Sequence, residues 1–144
     1  MIKLTAYLFK QLSQYCIDQF PNEACGVFYG HIEEDHILII EFKPVANIAK
    51  QPSLHFEFER EHFIQLLYKP HEAGVTWVGI FHSHPHTVAY PSQQDLCILW
   101  NLPVYVIVSL EQPDEPIMKS YEIKAGKQKK PCSIKEQAIE IIME

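Results

Sequence analysis

The stretch HSHPHTVAYPSQQD, residues 82–95, gathers three histidines, an aspartate, two serines and two prolines directly behind an apolar run, VTWVGIF. Imidazoles and carboxylates are side chains that hold a divalent cation at neutral pH, and proline-bounded turns restrict where they can point. Side chains two apart on a strand share a face. His84, His82, Ile80, Val78 and Thr76 are therefore expected to form one row that changes from aliphatic to imidazole at its end. Both rings then converge on a point just beyond the sheet edge. Pro85 ends the strand, Pro91 closes a short loop, and Asp95 falls in the first turn of a helix expected to start at Ser92. Two imidazole nitrogens and a carboxylate oxygen suit Zn²⁺. Three protein ligands leave the fourth tetrahedral position to water, which marks a catalytic rather than a structural ion.

Each part also has a plainer reading. An isolated H-x-H pair arises by chance on protein surfaces, and Ser92-x-x-Asp95 ahead of LCILW reads equally well as a helix capping box. The combination of strand, same-face rings, proline-closed return and helix-start acid is what favours a metal. His86 reads as a loop residue, and His31, His36, His55, His62 and His71 belong to no motif. Cys25 has no activating partner in its neighbourhood of sequence and reads as a small buried residue rather than a nucleophile.

The elements that must position this stretch follow from periodicity. Leu4, Leu8, Leu12, Tyr15 and Phe20 are near-helical in spacing, predicting a helix over 4–20 stopped by Pro21. ACGVFYG (24–30) and HILIIEFKPVA (36–46) predict two strands joined by the acidic turn IEED, and LHFEF (54–58) alternates like another. REHFIQLLYK (60–69) predicts a helix ended by Pro70. VTWVGIF is apolar on both faces and so is expected to be a central strand. SQQDLCILW (92–100) is expected to be helical, VYVIVSL (104–110) a buried strand, and MKSYEI (118–123) a polar edge strand. In the tail, Ser133 and Glu136 fit a capping box while AIEII also suits a strand, and helix is the reading adopted. Interleaved helices and strands give an α/β or α+β class: a mixed, curved sheet flanked by helices in a single domain over residues 1–144, with the tail from 125 undecided.

Composition narrows the function. The chain has 144 residues, 47% apolar and 21% charged, which is enough to bury a sizeable core. Lys plus Arg number 12 against 18 for Asp plus Glu, a formal charge of −6 that argues against a nucleic-acid partner. Lys124, Lys127, Lys129 and Lys130 are a local exception, read as a solvated loop. No stretch is long and apolar enough for a bilayer, and the start MIKLTAYLFKQLSQYC lacks the pattern of an export signal. Cys16, Cys25, Cys97 and Cys132 form no C-x-x-C pair and are expected to be reduced thiols in a cytoplasmic protein.

Gly79 through Asp95 resembles the signature of the JAMM (MPN-plus) zinc isopeptidases: H-x-H, ten residues, then aspartate, with a serine three before it. His82, His84, Ser92 and Asp95 match every position. The family also carries a glutamate ahead of an early strand, often as E-x-C-G, which here is Glu23 in FPNEACGVFYG. The resemblance implies a fold related to the cytidine deaminases, one Zn²⁺ held by His82, His84 and Asp95, Glu23 as general base, and Ser92 as donor to the oxyanion. It also implies cleavage of an amide at the C-terminal tail of a ubiquitin-like or sulfur-carrier β-grasp protein. Small prokaryotic members fit the length best. MPN domains lacking the ligands serve as scaffolds, which is the alternative reading. A RadC-like branch carries H-N-H-P-S-G where this chain has HSHPHT. A zinc deaminase reading fails because Pro131-Cys132 is followed by no C-x-x-C.

Overall fold

In the computed structural model, residues 1–97, 101–125 and 131–143 are described. A short strand, β1 (Ile2–Thr5), leads into helix α1 (Ala6–Gln19), followed by β2 (Cys25–Ile32) and β3 (Ile37–Val45). Helix α2 (Arg60–Leu67), β4 (Thr76–His84), β5 (Val104–Ser109), β6 (Ile117–Ala125), β7 (Pro131–Gln137) and β8 (Ile139–Ile142) complete the described elements. The strands form one mixed sheet in the order β7-β6-β5-β4-β2-β3-β1-β8. β1 runs parallel to β3 and β8, and β4 parallel to β5, while the other pairs are antiparallel. Only Ala138 separates β7 from β8, although they stand at opposite ends of that order. One extended segment thus pairs first with β6 and then with β1, so the sheet curls to bring those strands to the same stretch of chain. Among the described residues no helix is long and apolar enough to cross a membrane.

The curled sheet carries a core on each face. On one face α1 packs through Leu8, Leu12 and Cys16, spaced one helical turn apart, against Phe28, Phe81, Val104, Val106 and Val108. Thr5 caps α1 by accepting the Leu8 amide at 3.0 Å. Pro21 cannot donate a backbone N–H to continue the helix. On the other face Cys25, Val27, Tyr29, Ile80, Tyr105 and Ile107 meet Leu66 of α2 together with Phe56 and Phe58. β4 is central, as its double-sided apolar run requires. Gly26 allows this closeness: a Cβ there would stand 2.5 Å from the Phe81 ring and 2.4 Å from the Lys43 carbonyl.

Several expectations are corrected. The helix expected over 4–20 begins at Ala6, because Leu4 lies on β1 and buries into the same core as Leu8. Apolar spacing alone cannot separate these two roles, whereas the Thr5 cap does. Among the described residues LHFEF makes only one bridge, Asn47 to Phe58, although Phe56 and Phe58 both point inward. β6 is not an edge strand, since β7 covers it, and its polar look conceals the buried Ser120 and Tyr121. The tail is strand rather than helix: pairing with β6 and β1 overrides the capping-box pattern of Ser133 and Glu136. The helix expected over 92–100 is a turn followed by a 3-10 segment, Asp95–Cys97, and residues 98–100 lie outside the described part. Of the lysine cluster, Lys124 pairs with Glu122 at 3.3 Å, while Lys127, Lys129 and Lys130 fall outside the described residues.

The row behind the histidines is also corrected. Phe28 pairs with Gly79 but Tyr29 pairs with Trp77, so Val78 is an extra residue, a β-bulge in β4. His84, His82 and Ile80 share a face as expected. Beyond the bulge that face continues through Trp77, while Val78 turns to the α1 side with Phe81.

Candidate metal centre

His82 and His84 occupy the end of β4 and are both 5% exposed. Their Nε2 atoms lie 3.1 Å apart, and each faces the same oxygen, Oδ2 of Asp95, at 3.0 and 3.1 Å respectively. A tetrahedral ion with bonds of about 2.0–2.1 Å separates its ligand atoms by about 3.3–3.4 Å, so this triangle is close to zinc dimensions. The donor chemistry fits too. His84 Nδ1 donates to the Val88 carbonyl at 2.8 Å, which leaves the Nε2 lone pair directed into the triangle. Lone pairs converging with a carboxylate repel one another unless a cation, a proton or a metal, lies between them.

Ser92 and Asp95 form a reciprocal cap. The Asp95 amide donates to Ser92 Oγ at 3.1 Å, and the Ser92 amide donates to Asp95 Oδ2 at 2.8 Å. The cap and the triangle use the same carboxylate oxygen, so the two sequence readings of this motif coexist. Burial works to raise the Asp95 carboxyl, but the His82 charge and hydrogen bonds from both rings and the Ser92 amide outweigh it, holding Asp95 well below the usual carboxylate range. Burial lowers His82 despite Asp95. For His84 burial pulls the same way, but bonds to Asp95 and the Val88 carbonyl win and raise it.

Glu23 completes the group. One ligand atom each from Glu23, His82, His84 and Asp95 can be drawn within 4.8 Å of one another. Glu23 is 5% exposed, and its Oε1 is buried with no hydrogen-bond partner. Burial pushes its carboxyl up to about 8, His84 opposing and Asp95 reinforcing. The structure therefore brings together Glu23, His82, His84, Ser92 and Asp95. It leaves His86 exposed, in edge-to-face ring contact with Phe20 at 5.2 Å. His31 bonds to Gly74 and His36 to Asp35, away from the centre. Cys25 is fully buried, its thiol bonded to the Val45 carbonyl at 3.3 Å and pushed up by burial and then by Glu23, which suits a packing residue.

Residues that the sequence did not single out hold this centre in place. Three consecutive carbonyls of the 85–91 loop each accept a bond: Thr87 from Ser109 Oγ at 2.6 Å, Val88 from His84, and Ala89 from the Tyr121 hydroxyl at 2.5 Å. Phe56 stacks on the His82 ring, with centroids 4.5 Å apart and planes at 24°. Ser83, between the two histidines, accepts the Ala24 amide at 2.8 Å. Asn47 donates to the Glu23 carbonyl at 3.0 Å. Ser83 could have been noticed from its place inside H-S-H. The others act across long stretches of sequence and leave no local signal.

The chain is similar to known proteins over most of its length. The family model described as prokaryotic homologs of the JAB domain matches residues 5–124. A desampylase of Haloferax volcanii is 35% identical over 75 residues, which covers 52% of this chain and 52% of that protein, so the match spans about half its length. A CysO-cysteine peptidase of Mycobacterium bovis is 31% identical over 111 residues, covering 74% of this chain and 71% of that protein. Among solved structures, a protein from Desulfitobacterium hafniense superposes with a TM-score of 0.83 at 30% identity, over 100% of this chain and 94% of that one. A JAB1/MPN domain protein from Archaeoglobus fulgidus, 18% identical, shares the fold with a TM-score of 0.63 over 97% of this chain and 98% of its own.

Proposed function

The chain belongs to the family of prokaryotic homologs of the JAB domain, and from that premise we propose that it is a zinc-dependent peptidase. As a single catalytic domain it hydrolyses an amide bond at the C-terminal tail of a ubiquitin-like or sulfur-carrier protein. The observation that carries this reading is the convergence of His82, His84 and Asp95 on one point, with a buried, unpartnered Glu23 oxygen beside it. The relatives named desampylase and CysO-cysteine peptidase support a protein-tail substrate. A reducing, cytoplasmic setting suits Cys16 and Cys25, which are buried and unpaired.

His82, His84 and Asp95 are the residues that would hold the ion. Zinc bound there would act as a Lewis acid and bring the pKa of a water down to about 7. Glu23 takes the proton from the attacking water and passes it to the departing amine. Its burial suits this double use, because a carboxyl that is costly to ionise binds a proton readily and is drawn back towards the carboxylate only by nearby positive charge. Ser92 Oγ accepts the Asp95 amide with a lone pair, so its own hydrogen is free to donate to the developing oxyanion. Capping and oxyanion stabilisation are thus compatible in one hydroxyl. A groove of about 570 Å³ lined by Ile48, Gln51, His55, Phe56 and Gln94 opens beside the centre, sharing Phe56 with the His82 stack. It gives an extended tail a place to lie.

The test is to incubate zinc-loaded protein with ubiquitin-like and sulfur-carrier fusions and weigh the products. Cleavage at the carrier's C-terminus in at least one fusion is expected, and the fusion that is cut identifies the substrate class. Bound zinc with no product from any of them would favour a non-catalytic scaffold.

A further inference from the structure

Glu23 is not held by its own carboxylate, since Oε1 makes no hydrogen bond. Nor does a strand ladder hold it, because β2 begins two residues later, at Cys25. Its position comes from four backbone bonds around the Glu23–Ala24 peptide. The Ala24 amide donates to Ser83 Oγ at 2.8 Å, and the Ser83 amide donates to the Ala24 carbonyl at 2.9 Å. On the other side the Glu23 amide donates to the Pro52 carbonyl at 2.8 Å, and Asn47 Nδ2 donates to the Glu23 carbonyl at 3.0 Å. β4 supplies one half of this clamp, and the 47–58 turn supplies the other.

Asn47 organises the second half. A carboxamide has two N–H donors and two acceptor lone pairs. Besides the Glu23 carbonyl, Nδ2 faces the carbonyls of His55 at 3.0 Å and Pro52 at 3.3 Å. Oδ1 accepts the amides of Ala49 at 3.0 Å and Glu57 at 3.1 Å. One side chain therefore ties the Glu23 backbone to the turn that carries both Pro52, which binds the Glu23 amide, and Phe56, which stacks on His82.

We propose that Asn47 is a positioning residue for Glu23, fixing the height of that carboxylate above the His82–His84–Asp95 triangle by clamping its backbone to the 47–58 turn. The proposal rests on the reading of Glu23 as the base. Asp is the sharpest substitution: it keeps the size and one acceptor oxygen but puts a second oxygen where three carbonyls expect a donor. In Asn47→Asp, kcat is expected to fall on the order of 10²-fold, as for a displacement of about 1 Å at a reacting group. KM should stay within a few-fold and the metal content should be unchanged. Asn47→Ser retains one donor and one acceptor and should recover part of the loss.

Two further readouts separate positioning from general support of the fold. Combined with Glu23→Gln, Asn47→Asp should add no further loss in kcat, because both act through the same carboxylate. Amide exchange at Glu23 should accelerate in Asn47→Asp relative to the parent, a comparison that needs no substrate. If the parent cuts no amide substrate, the proposed reaction fails, while the exchange comparison still decides whether Asn47 holds Glu23. Where Asn47→Asp does not fold, Asn47→Ser carries the same measurements. Parental kcat, a loss confined to KM, losses that multiply in the double variant, or unchanged exchange at Glu23 would each overturn the proposal.

Discussion

Replacing Glu23 by Gln should make the metal-free protein more stable at pH 8. The unfolded chain releases the Glu23 proton near 4.5 and the folded chain near 8. Between those values the folded state holds more protons, so this residue's contribution to stability is fully present below 4.5 and is lost as the pH rises towards 8. At 1.36 kcal/mol per pH unit, that interval amounts to about 5 kcal/mol. The substituted amide is itself a buried polar group that costs about 1–3 kcal/mol without a partner. The net effect of Glu23→Gln is therefore a gain of about 2–4 kcal/mol at pH 8 and a loss of about 1–3 kcal/mol at pH 4.5, where the parent carboxyl is still protonated in the fold. Urea unfolding of the chelator-treated parent and variant at both pH values measures it, the difference cancelling the titrating groups that do not interact with Glu23, while His84, which does, is common to both proteins. Zinc should shrink the gap, because a cation beside Glu23 stabilises the carboxylate. A variant that is less stable at pH 8, or a gain equal at both pH values, would show that burial does not govern this carboxyl. In the zinc-loaded state the same variant should retain its metal and lose on the order of 10²-fold or more in turnover.

Asp95→Asn removes the charge shared by both rings and by the Ser92 amide, so bound metal should drop well below one equivalent by elemental analysis; stoichiometric zinc in that variant would exclude Asp95 as a ligand. Tyr121→Phe frees the Ala89 carbonyl and loosens the loop that orients His84, and metal affinity by competition with a chelator should fall about 10–100-fold. An unchanged affinity would mean the loop is held without that hydroxyl. Burial pushes the Cys16 thiol up to about 12 from 9.0. Stability should therefore decline as the pH rises above 9, and the decline should be shallower in Cys16→Ala when unfolding is followed at pH 8 and 10.5. Equal slopes would contradict a buried neutral thiol.

The convergence of His82, His84 and Asp95 was legible because its parts are close in sequence and each obeys a local rule. Period two aligns His82 with His84, and a cap places Asp95 over Ser92. Glu23 was legible only through the family resemblance, since nothing local marks a glutamate before a strand, and its meaning comes from β4 packing beside it. Asn47, Phe56, Ser109 and Tyr121 act across the fold, through carbonyls and a ring face that no spacing encodes. The same limit explains the misread elements. Ile139 to Ile142 could take either period, and only β1 lying alongside settles it as strand. The bulge at Val78 breaks the alternation of β4 through its pairing with β2, which the sequence of β4 alone does not reveal. Phe56 and Phe58 alternate as in a strand because both bury, yet the Asn47 side chain takes the Ala49 and Glu57 amides that a second strand would otherwise use.

Anomalous diffraction at the zinc edge, on crystals of the zinc-loaded protein, examines the foundation of all this. One ion is expected, bound to Nε2 of His82, Nε2 of His84 and a carboxylate oxygen of Asp95, with a water as fourth ligand and Glu23 in contact with that water. An ion seated elsewhere, or Glu23 itself closing the coordination shell, would contradict the hydrolytic mechanism.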